Sequence, residues 1–64
     1  MINNFVAALR AKLREDMNTH ADALATGGCK TYDDYKHICG VIQGLAFAER
    51  HLLDLASAME TDDE

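Results

Sequence analysis

Five side chains in this 64-residue chain are candidates to act as acids, bases, nucleophiles or metal ligands near its apolar faces: His20, Cys29, His37, Cys39 and Glu49. Zinc sites use pairs spaced C-x2-4-C or H-x3-5-H, whereas Cys29 and Cys39 are ten residues apart. On a helix, His37 points about 200° away from Cys39, so the two cannot share an ion. No metal and no cofactor is expected. Glu49 falls in the middle of an apolar stripe, where a carboxylate needs a partner. A turn centred near Cys29 brings Arg10 close to its level, and the two are expected to form a structural ion pair. A catalytic acid with a raised pKa is the competing role, but no second titrating group sits at a matching level. His20 is expected in the core or hydrogen-bonded, and Cys39 as a small apolar filler.

The chain carries no Ser/His/Asp arrangement and no phosphate-binding loop, since "TGGC" is short and follows a helix. No catalytic residue is assigned, and an enzyme is not expected. Arg10, Lys12 and Arg14 form a small basic group, but Glu15 and Asp16 follow directly and no aromatic residue is interleaved. With 6 basic and 11 acidic residues the net charge is -5, which disfavours nucleic acid and anionic membrane surfaces as partners. Charged residues interrupt every apolar run short of a membrane span, and the N-terminus lacks the pattern of a signal peptide. The sequence is therefore expected to be soluble, to reside in a reducing compartment and not to be secreted.

The elements that position these residues follow from the spacing. Ile2, Val6, Leu9, Leu13, Met17, His20 and Leu24 recur every three or four residues, which predicts a helix over about 3–26 with Asn3 or Asn4 as its cap. Gly27 or Gly28 then supplies a left-handed C-terminal residue, and the turn covers 27–31. Thr31 caps a second helix over about 32–59, with Asp34 in a capping-box-like position and Asp33 and Asp34 at the positive end of the helix dipole. Residues 60–64, "ETDDE", read as a solvated acidic tail. A short turn between two long helices predicts an all-α antiparallel hairpin, with a core too small to stand easily alone and completed by oligomerisation or a partner protein.

The second helix has more apolar surface than one neighbour can cover. Tyr35, Ile38, Ile42, Leu45, Leu52, Leu53, Ala56 and Met59 form the stripe expected to face helix 1. Gly40, Val41, Gly44, Phe47, Ala48 and Leu55 lie elsewhere and form the expected partner interface, with Gly40, Gly44 and Ala48 as a small-residue ridge admitting a second helix. The competing arrangement covers that ridge with the stems of Arg10 and Arg14.

The stretch "ALATGGCKTYDDYKHICGVIQGLAFAERHLLDL", Ala23 to Leu55, resembles a group of small helical proteins encoded among the virion and DNA-packaging genes of tailed bacteriophages. The matching residues are Gly27 or Gly28, Tyr32, Tyr35, Gly40, Ile42, Gly44, Leu45 and Glu49. The resemblance covers about half the chain, and it implies a phage origin and a role in the virion or its assembly without supplying catalytic residues. Self-association or a larger virion protein (capsid, portal or tail) is the expected partner. The alternative is a small phage regulatory protein that binds and inhibits a host enzyme.

Overall fold

The computed structural model describes residues 2–62, with side-chain surroundings described for residues 3–59. It is an all-α antiparallel hairpin of two helices packed along their length, α1 (Ile2–Ala25) and α2 (Tyr32–Asp62). Neither helix is long and apolar enough to cross a membrane.

The turn is built from the residues that the sequence singled out. Gly27 takes the left-handed conformation, φ 79°. The Gly28 N–H donates to the Ala23 carbonyl at 2.7 Å, and the Gly27 N–H donates to the Leu24 carbonyl at 3.5 Å. These are the two bonds of a Schellman motif, which satisfies carbonyls left over at the helix end. Gly28 is needed for a different reason: a Cβ there would lie 2.8 Å from the Ala23 carbonyl oxygen. Thr31 caps α2, its Oγ1 accepting the Asp34 N–H at 3.1 Å, with Asp33 and Asp34 in the first turn.

The boundaries differ in three places. α1 already includes Ile2, so Asn3 and Asn4 lie within its first turn and neither precedes the helix as a cap. It ends at Ala25, so the connection begins at Thr26. α2 continues to Asp62, taking in part of the segment read as an acidic tail, while Asp63 and Glu64 lie outside the described residues.

The interface runs along Val6, Leu13, Met17, His20 and Leu24 of α1 and Ile38, Ile42, Leu45, Glu49, Leu52, Leu53 and Ala56 of α2. The expected face of α1 holds at its centre, but Leu9 is on the edge at 37% exposure, and the side chain of Ile2 is outside the described residues. Two residues placed in the α2 stripe by periodicity, Tyr35 and Met59, are about half exposed, because they sit at its edge and near the helix ends where α1 offers little cover. Among the described residues no apolar side chain is buried, and the one buried residue is the carboxylate Glu49, at 7% exposure.

Candidate functional site

Glu49 is the centre of the polar chemistry between the helices. Arg14 grips it with a fork of two bonds, Nε to Oε2 at 2.6 Å and Nη2 to Oε1 at 2.8 Å. The Arg10 Nε approaches the same Oε2 at 3.4 Å. The bidentate arrangement is the strong, orientation-fixing form of this interaction. Arg14 is therefore the principal partner and Arg10 the secondary one, which amends the expected Arg10–Glu49 pair. The reason is register. Residues 28–31 lift the start of α2 beyond the end of α1, sliding the pairing by about one helical turn from that of a turn centred on Cys29.

The electrostatics follow from this grip. Hydrogen bonding from Arg14 holds the Glu49 carboxyl below its ordinary value, its charge and the contacts of Arg10 act in the same direction, and burial opposes them. A carboxylate held ionised between two guanidinium groups is a poor proton donor at neutral pH. The site is suited to holding two helices in register.

Beside the pair runs an open groove of about 590 Å³, walled by Ala7, Arg10, Ala11 and Arg14 of α1 and by Leu53, Ala56 and Ser57 of α2. Short alanine side chains make this side of the hairpin concave. His20 is half-buried, and its Nδ1–H donates to the Asp16 carbonyl at 2.8 Å, which sets its tautomer. Cys29 and Cys39 are free, half-buried thiols, and the Tyr35 hydroxyl is raised above its ordinary pKa chiefly by hydrogen bonding to Cys39. Among the described residues, no three His, Cys, Asp or Glu side chains gather as a metal site.

The residues expected as a partner interface are open. Gly40, Gly44, Phe47, Ala48 and Leu55 are exposed, Phe47 at 63% and Leu55 at 64%, while Val41 is half-buried at the edge of the inter-helix contact. A Cβ built on Gly40 or Gly44 would meet nothing within 4 Å. Helix 1 and its arginines therefore do not lie over the glycines, and the arrangement in which the arginine stems cover them is excluded. Periodicity missed the second apolar contribution to this exposed surface, Phe5 of α1 at 64% exposure, which lies off the recurring positions of its own helix.

Fold and site together define a small all-α hairpin clamped by a buried carboxylate between two arginines, with large apolar side chains left in solvent. The chain matches no protein-family model, no curated protein and no solved structure.

Proposed function

We propose that this chain is a noncatalytic packing module whose hairpin is completed by association with another protein surface. The observation that carries the reading is the inversion of burial: Glu49 is buried, while Phe5, Phe47 and Leu55 are each more than 60% exposed. Phe5 and Leu55 lie on one face of the hairpin, and an exposed apolar face of this kind marks an association site. Each large apolar side chain newly covered there contributes about 1.5–3 kcal/mol before ordering costs. The resemblance carried by Ala23–Leu55 suggests a tailed-phage particle or its assembly as the setting of that packing, with a second copy or a capsid, portal or tail protein as the covering surface.

Solution mass by light scattering across a concentration series, with wild type beside Gly44→Leu, tests the packing reading. A wild-type assembly that the substitution weakens is expected, because a leucine on the open side of Gly44 occupies the space of an approaching helix. A cooperatively folded monomer at every concentration, unchanged by Gly44→Leu, would overturn the reading. The particle role adds that the chain is present in stoichiometric copies in purified virions. Its absence from them, with binding to a host enzyme that loses activity, would replace this role with the inhibitor.

A further inference from the structure

We infer that the covering surface is a second copy of this chain, docked by a two-fold axis through the level of Ala48 to form an antiparallel four-helix bundle. The inference rests on the packing reading above and names its partner.

The first observation is a face shared by both helices. The groove beside the ion pair identifies one side of the hairpin, lined by the Ala7 and Ala11 flank of α1 and the Leu53 and Ser57 flank of α2. Helical geometry then puts the opposite flanks together on the other side. On α2 that flank is Val41, Gly44, Ala48, Leu52 and Leu55, extended by His37 and Met59, with no Asp, Glu, Lys or Arg among them. On α1 it is Phe5, Leu9, Lys12, Asp16, Thr19 and Ala23. Each flank lies about 90° around its helix from the contact with the other helix, the angle at the corner of a four-helix bundle.

The second observation is that both flanks read the same in either direction. From His37 to Met59 the steps are four, three, four, four, three and four residues, symmetric about Ala48. An isologous contact requires such self-complementarity. Antiparallel docking on Ala48 sets Gly44 against Leu52 of the copy and Val41 against Leu55, small against large, with the smallest separation at the axis. From Phe5 to Ala23 the steps are four, three, four, three and four, symmetric about position 14. This sets Phe5 against Ala23 and Lys12 against Asp16 of the copy, twice over. Neither Lys12 nor Asp16 has an ion-pair partner among the described residues.

One axis must pass through both centres at a single level. Glu49 is gripped by Arg14 and reached by Arg10 one turn away, so the residue after Ala48 lies within about one turn of position 14 and a single axis can serve both centres. The area agrees. The chain exposes 5079 Å², and a compact protein of twice its 7.1 kDa mass exposes about 6,800 Å², so pairing buries up to about 3,400 Å² in total, within the range of obligate homodimers. Phe47 and Gly40 sit at the back of α2, outside this seam.

Two variants that repel themselves test the arrangement. Lys12→Glu sets a new carboxylate against Asp16 of its copy, and Asp16→Lys sets a new ammonium against Lys12. Each alone is expected to dimerise at least about tenfold more weakly than wild type. Mixed in equal amounts, the two variants match opposite charges at both contacts: the introduced carboxylate of one faces the introduced ammonium of the other, and the retained Asp16 faces the retained Lys12. Dimerisation is then expected to return. Like charges within each variant's own helix are unaffected by mixing, so an effect confined to one chain would not be rescued. In a Cys29→Ser, Cys39→Ser background, Ala48→Cys is expected to form the intermolecular disulfide at least about tenfold faster than Phe47→Cys. Mixing without rescue, or equal cross-linking at 47 and 48, would overturn the seam. A wild-type trimer or larger assembly, or a poorly folded monomer, would overturn the second copy while leaving the packing reading standing.

Discussion

At the scale of the residue, Glu49 is where polar chemistry and fold stability meet. Its pKa is lowered in the folded state from the ordinary 4.5, with Arg14 hydrogen bonding the leading cause. The sign follows from linkage: a depressed carboxyl contributes stability that is fully present above the unfolded value and is lost as pH falls through the folded one. Wild type is expected to melt about 5 °C above Glu49→Gln at pH 7, with the gap closing as the pH falls below the ordinary 4.5 and through the lowered folded-state value. Thermal scans of the two proteins from pH 7 to pH 2.5 check this, and a gap that persists in acid would remove the ion pair as its source. The sequence made the need for a partner legible, because a carboxylate in an apolar stripe must be satisfied. It left the choice between Arg10 and Arg14 open to error, since the two are one turn apart and the outcome depends on how far the connection climbs beyond α1.

At the scale of the element, the four glycines divide by what surrounds them. Gly27 and Gly28 are required by the turn, one by its positive φ and the other by the Ala23 carbonyl. Gly40 and Gly44 lie within α2 with open space where a Cβ would go. Gly28→Ala is expected to destabilise the hairpin by about 1–2 kcal/mol, through loss of the Schellman geometry. Gly40→Ala is expected to stabilise it by about 0.5–1 kcal/mol, because alanine is the better helix former and meets no obstacle. Urea unfolding of both variants measures the two signs, and a loss at Gly40→Ala would mean that something covers the back of α2. The helix ends near the turn were legible because Gly27 and Thr31 have local roles that sequence alone expresses. Helix bounds away from the turn were less so: Asn3 resembles a cap, yet the helix starts before it, and "ETD" looks like a tail, yet α2 runs through it. The outer apolar flank of α1 was missed because Phe5 belongs to a second seam, and a search for one recurring face assigns each helix a single neighbour.

At the scale of the whole molecule, two helices side by side make a rod with extents of 51 × 16 × 11 Å. Its accessible surface of 5079 Å² exceeds the about 4,100 Å² of a compact folded chain of this mass. A slab two helices wide gives each helix one neighbour, and among the described residues only Glu49, enclosed by its two arginines, is buried. A second layer would convert the half-buried Val41 and Leu52 into interior residues, and folding would then be inseparable from association. Melting temperature therefore reports on the second copy directly. Mass action adds about 1.4 kcal/mol to the stability of a dimer for each tenfold rise in concentration. For two chains unfolding together, this corresponds to about 5 °C per tenfold. Calorimetric scans over two decades of concentration are thus expected to show the transition rising by about 10 °C and sharpening as one event. A transition fixed at one temperature would mean that the hairpin holds itself together. The burial missing from its interface would then have to be offset within the single chain, above all by the grip of Arg14 and Arg10 on Glu49.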